Sequence, residues 1–159
     1  MEQEITSLVA GLGAALTARG WLAATAESCT GGLIACMLTD VPGSSQWYAG
    51  GVVAYANRIK EKLLGVPGPL LEKYGAVSRE TVLAMAQGTA KRFNVQCAVA
   101  VSGVAGPDGG SPEKPVGTVW IGWSVDGLHS AERFFFQGDR LCVKRQSAHA
   151  ALAGLAGKL

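Results

Sequence analysis

The run Cys97-Ala98-Val99-Ala100-Val101-Ser102 carries no polar residue until its last position. A strand with one wet face alternates apolar and polar residues, whereas a strand that is apolar throughout is covered on both sides. Such a strand needs a sheet with helices above and below it, so this one stretch points to a layered α/β architecture. The flanking segments agree. Ile5, Leu8, Val9, Leu12 and Leu16 recur at helical spacing, and Arg19-Gly20 supplies a basic last turn and a terminating glycine. A first strand is expected over 21–26, a helix over 30–39, and a second strand over 50–55. Asn57 is the expected cap of a third helix carrying Ile59, Leu63 and Leu64. Pro69 suits the first position of a short helix, and Ser78 caps a longer one with Val82, Met85, Ala86 and Phe93 on one face. Beyond the apolar run, 116–125 and 128–136 form a hairpin around Asp126-Gly127, a type I′ signal. Asp139 caps a last helix whose face includes Leu141, Ala148, Leu152 and Leu155.

The order is α-β-α-β-α-α-α-β-β-β-α. Strands separated by helices are most simply parallel, so the expected fold is a three-layer α/β/α sandwich with a mixed, mostly parallel sheet of about five strands. A length of 159 residues fits one domain over 1–159. A formal charge of +2 with no Lys/Arg run argues against nucleic acid. No apolar run approaches the roughly 18 residues of a membrane span. The four cysteines show no CxxC spacing and read as reduced, mostly buried thiols of a cytoplasmic protein. His129 and His149 form no ligand pattern, so no metal site is expected; no other cofactor is expected either.

Ligands of open α/β sheets bind at the carboxyl ends of the parallel strands. Three polar motifs follow parallel strands directly: Glu27 to Gly32, Tyr55 to Lys60, and Gly103 to Gly110. If the hairpin returns to the same edge, Gly138-Asp139-Arg140 joins them. In the first motif, Ser28 or Thr30 either caps the following helix or, for Ser28, serves as a nucleophile; the helix terminus favours anions, and Gly31 and Gly32 allow close backbone approach. Lys60 is either a solvated helix-surface residue or a base whose ammonium is destabilised at a helix N-terminus. A neutral lysine beside a serine hydroxyl can act as its general base. Tyr55 can pass a proton or orient that lysine, or pack as a strand aromatic. The loop Gly103–Gly110 can offer N–H groups to an oxyanion or phosphate but matches neither a P-loop nor a dinucleotide fingerprint. Arg140 offers a planar fork for phosphate, or is a surface arginine beside a capping Asp139. Cys29 is a rival nucleophile because a helix N-terminus lowers a thiol pKa, but neither histidine is placed as its base, and burial is the better reading.

Taken together, Ala26-Glu27-Ser28-Cys29-Thr30-Gly31-Gly32, Tyr55-Ala56-Asn57-Arg58-Ile59-Lys60, Gly75-Ala76-Val77-Ser78, Val101-Ser102-Gly103-Val104-Ala105-Gly106-Pro107-Asp108-Gly109-Gly110 and Lys114-Pro115-Val116-Gly117-Thr118-Val119 resemble the CinA C-terminal-domain family. The resemblance covers nearly the whole chain and departs at Ala56, where relatives often carry serine. It implies deamidation of nicotinamide mononucleotide without a metal, in pyridine nucleotide salvage. The family's serine, lysine and tyrosine fall on Ser28, Lys60 and Tyr55, and its arginine on Arg140. Thr30, Gly31, Gly32, Ser102, Gly103, Ala105 and Gly106 are the expected substrate-binding positions, with the oxyanion donors at the start of helix two or in the glycine loop. A small nucleotide substrate, a homo-oligomer and a standalone form of the domain are expected. Two other readings stay open: a nucleotide-binding regulatory module without catalysis, and a serine–lysine amidase for another phosphorylated amide.

Overall fold

The computed structural model describes residues 2–159. Five strands, β1 (Ala23–Glu27), β2 (Tyr48–Val53), β3 (Cys97–Gly103), β4 (Thr118–Val125) and β5 (Leu128–Phe135), form one sheet in the order β2-β1-β3-β4-β5. β1 pairs in parallel with β2 and β3; β4 is antiparallel to both β3 and β5. Four strands therefore point the same way and only β4 runs back. The apolar run is β3, and it lies at the centre with almost every residue buried. Six helices complete the layers: α1 (Glu2–Arg19), α2 (Leu33–Thr39), α3 (Asn57–Leu64), α4 (Gly68–Tyr74), α5 (Arg79–Phe93) and α6 (Arg140–Ala156).

The two faces of the sheet have separate cores. On one, Leu12 and Leu16 of α1, Ile34 and Leu38 of α2, and Val143, Leu152 and Leu155 of α6 pack on Val99, Val101, Ile121 and Trp123. On the other, Leu64 of α3, Leu71 of α4, and Met85 and Ala86 of α5 pack on Ala26 and Ala100. Small strand residues let the helices of this second face come close. At Gly88 of α5 a Cβ would collide with the Leu64 carbonyl at the end of α3.

Local signals explain most element ends. The Ser78 hydroxyl accepts from the Thr81 N–H at 3.2 Å, and the Asp139 carboxylate from the Cys142 N–H at 2.9 Å, so both expected caps form. Asp126 and Gly127 both have positive φ, at 48° and 79°, as a type I′ turn requires. Several boundaries differ from expectation. β2 begins and ends two residues early, because Tyr48 pairs opposite Ala23 and its hydroxyl meets Thr25 Oγ1 at 2.8 Å; Tyr55 thus lies beyond the strand. α2 starts at Leu33, after a turn through Gly31 and Gly32. Ala56, not Asn57, is the cap of α3, and it caps through its backbone carbonyl. Pro69 is the second residue of α4. Leu141 is exposed, because the buried stripe of α6 runs through Val143, Ser147, Ala151 and Leu155 and leaves it on the far side. Cys29 and Cys97 are buried, but Cys36 and Cys142 are exposed. Among the described residues no helix is long and apolar enough to cross a membrane.

Candidate active site

Ser28 is the first residue past β1, and its N–H continues the ladder to the Val101 carbonyl at 2.9 Å. Its hydroxyl meets Lys60 Nζ at 3.1 Å. Lys60 stands in the first half of α3, and Nζ also donates to the Tyr55 carbonyl at 3.0 Å. The lysine is 1% exposed. Among the described residues no carboxylate partners it, so burial pulls its pKa below the ordinary lysine value; the neighbouring Cys29 opposes this. Serine and lysine, 32 positions apart in sequence, thus form a buried hydroxyl–amine pair at the sheet's carboxyl edge.

The polar groups after Ser28 are arranged otherwise than expected. Glu27, the last residue of β1, is 1% exposed and turns its carboxylate into the N-terminus of α2. Oε2 accepts from Thr30 Oγ1 at 2.6 Å, the Gly32 N–H at 3.1 Å and the Ile34 N–H at 3.0 Å; Oε1 accepts from the Ala35 N–H at 2.8 Å. The anion favoured at this helix end is therefore the protein's own. The Gly31 N–H donates to the Ser28 carbonyl at 3.1 Å, and the Leu33 N–H to that of Thr30. Thus the Thr30 hydroxyl and the Gly31 and Gly32 amides, expected to meet substrate, are engaged internally, as are the amides of Leu33, Ile34 and Ala35 at the start of α2. Among the described residues, the Cys29 and Thr30 amides donate to no other residue.

Cys29 is held as a buried thiol. Burial pushes its thiol up to about 12, and the Glu27 carboxylate adds to the rise; its own backbone N–H, Lys60 and Lys144 offset only part of this. The pull of the helix terminus on the thiol loses to desolvation.

Arg140 opens α6 and closes the site from the opposite face. Nη1 donates to the Gly106 carbonyl at 2.7 Å and Nη2 to the Tyr55 hydroxyl at 3.0 Å. Tyr55 therefore touches Lys60 through its backbone carbonyl, while its ring is exposed and its hydroxyl is held by the arginine. Ser102 and Ala105 are buried at the end of β3 and the start of the following loop, and Gly103 packs against Val119. Two further motifs meet each other: Lys114 Nζ donates to the Tyr74 carbonyl at 2.6 Å, which ties the loop before β4 to the end of α4.

Sequence reasoning brought Ser28, Lys60, Tyr55, Gly106 and Arg140 to one edge, and they meet there. It missed the inward turn of Glu27. It also missed Lys144, although its place four residues after Arg140 puts it on the same flank of α6.

The model of the family described as CinA C-terminal domain matches residues 5–159, and the chain belongs to that family. It is similar to a protein of Enterobacter agglomerans called nicotinamide-nucleotide amidohydrolase PncC, at 51% identity over 148 residues, covering 92% of this chain and 90% of the relative. A relative of the same name from Pseudomonas putida is 52% identical over 151 residues, covering 95% and 94% of the two chains. The crystal structure of the competence damage-inducible protein A (ComA) from Klebsiella pneumoniae superposes with a TM-score of 0.94 at 38% identity, over 97% of this chain and 96% of that one.

Proposed function

We propose that this chain is a nicotinamide-nucleotide amidohydrolase that converts nicotinamide mononucleotide and water to nicotinate mononucleotide and ammonia, in pyridine nucleotide salvage. The observation that carries the reading is the buried 3.1 Å contact between Lys60 Nζ and Ser28 Oγ, in a chain about half identical to relatives named for this reaction. Burial lowers the Lys60 pKa and so favours the neutral amine, which can take a proton from a serine hydroxyl, and the Tyr55 carbonyl keeps the amine in place for it.

In the first half-reaction Ser28 Oγ gives its proton to neutral Lys60 and bonds to the carboxamide carbon. The amides of Cys29 and Thr30 and those of the glycine loop are the donors open to the tetrahedral oxyanion. The C–N bond then breaks, and the Lys60 ammonium returns the proton to the departing nitrogen, which leaves as ammonia. Water attacks the resulting ester while Lys60 takes one of its protons; the bond from the acyl carbon to Ser28 Oγ then breaks, the Lys60 ammonium returns that proton to Oγ, and the acid product leaves as a carboxylate after losing its proton to solvent. The substrate phosphate lies at the Gly103–Gly110 loop and the start of α6. One domain carries all of this, since the residues come from elements packed on a single sheet. Four unpaired thiols suit the cytoplasm. The reading includes assembly of copies into a homo-oligomer, which sedimentation measures.

Ammonia release from nicotinamide mononucleotide tests the reading. Ser28→Ala removes nearly all turnover without unfolding the protein, and Cys29→Ala keeps substantial activity. The reverse pattern transfers the nucleophile to Cys29, and no release by the wild-type protein refutes the substrate.

A further inference from the structure

Two cations of α6 flank the active edge, and only one is committed. Arg140 already has two protein acceptors, the Gly106 carbonyl and the Tyr55 hydroxyl. Lys144, one turn later on the same flank, is half-buried, and among the described residues it has no hydrogen-bond acceptor or carboxylate partner. A lysine kept for solubility extends its ammonium into water. This one lies over the turn that follows Ser28. A Cβ built on Gly31 would stand 3.6 Å from Lys144 Nζ. Gly31 closes a four-residue turn on the Ser28 carbonyl, so its Cα lies within about 7 Å of that of Ser28. The charge is close enough to favour the thiolate of Cys29.

The negative seat nearby is already filled. The N-terminus of α2 holds the Glu27 carboxylate on four donors. A substrate anion is therefore turned away from that helix end by like charge and needs a cation with free donors beside it. Lys144 has three.

We propose that Lys144 binds the phosphate of the substrate nucleotide, while Arg140 braces Tyr55 and the Gly106 loop around it. This rests on the nucleotide reading above, and the test separates the two. Steady-state ammonia release from nicotinamide mononucleotide is measured for wild type, Lys144→Ala and Lys144→Arg, with inorganic phosphate as competitive inhibitor. Lys144→Ala raises KM at least tenfold, about 1.4 kcal/mol, and weakens phosphate inhibition in parallel. Lys144→Arg, which keeps a phosphate-binding charge, restores both. Unchanged KM and unchanged phosphate inhibition overturn the assignment, as does a loss confined to kcat. Calorimetric titration with inorganic phosphate reads the same site without turnover: saturable binding in wild type that Lys144→Ala abolishes supports it, and equal binding in both, or none in wild type, overturns it. If phosphate binds through Lys144 yet the wild type releases no ammonia from the nucleotide, the substrate reading fails and the anion site stands.

Discussion

Lys60→Met separates a titrating base from a fixed charge. Methionine keeps an unbranched side chain of similar length but neither ionises nor donates. Burial lowers the folded-state pKa of Lys60 from 10.5, so between that lowered value and 10.5 the unfolded chain holds a proton that the folded chain has released. Wild-type stability therefore rises with pH through this window, by up to about 1.4 kcal/mol per pH unit. Below the window both states are protonated and the fold bears the whole cost of a buried ammonium; above it neither is. Lys60→Met lacks this titration, so its stability relative to wild type is greatest below the window and declines as pH rises to 10.5. The substitution also leaves the Tyr55 carbonyl without its donor, at about 1–3 kcal/mol, but that loss does not vary with pH. Only the slope is diagnostic. Cys97, pushed up to about 11, depresses stability at high pH in both proteins and cancels in the difference; Cys29, pushed up to about 12, is coupled to Lys60, so both proteins carry Cys29→Ala. Urea unfolding of the two proteins at a series of pH values supplies the slope. The kcat/KM of the wild type should rise through the same ionisation, because only the neutral amine accepts the Ser28 proton. A stability difference that is flat up to 10.5, or a kinetic pKa at the ordinary lysine value, refutes the argument from burial.

Two further outcomes follow from packing. Glu27→Gln sets an amide nitrogen against buried donors that a carboxylate satisfies, so unfolding free energy measured in urea falls by about 2 kcal/mol and kcat falls with it as the Ser28 turn loosens; unchanged stability would show that the carboxylate is not holding that turn. Gly88→Ala forces α5 off the end of α3 and lowers stability by about 1–3 kcal/mol, read as a drop in Tm, whereas the same substitution at exposed Gly11, where a Cβ meets nothing, has little effect or stabilises its helix.

What the sequence determined by itself is what neighbours in the chain can encode. An unbroken apolar run marked β3 as central, Asp126-Gly127 marked the hairpin, and Ser78 and Asp139 marked helix starts, because strand burial, turn φ angles and caps depend on a few adjacent residues. The convergence of Ser28, Lys60 and Arg140 was legible too, since parallel strands share one carboxyl edge. Only the tertiary structure decided which groups face which. Glu27 could have pointed to water, as carboxylates usually do; the packing of α2 over β1 made its charge the anion of that helix end. Cys29 was subject to a helix terminus that lowers its pKa and to burial that raises it, and the closed core decided for burial. The Tyr55 hydroxyl went to Arg140 and its carbonyl to Lys60 because β2 stops two residues early. Lys144 came over Gly31 only through the rotation at which α6 docks on the sheet. These outcomes turn on contacts between distant segments, where desolvation and pairing are set by the assembled layers and not by any local pattern.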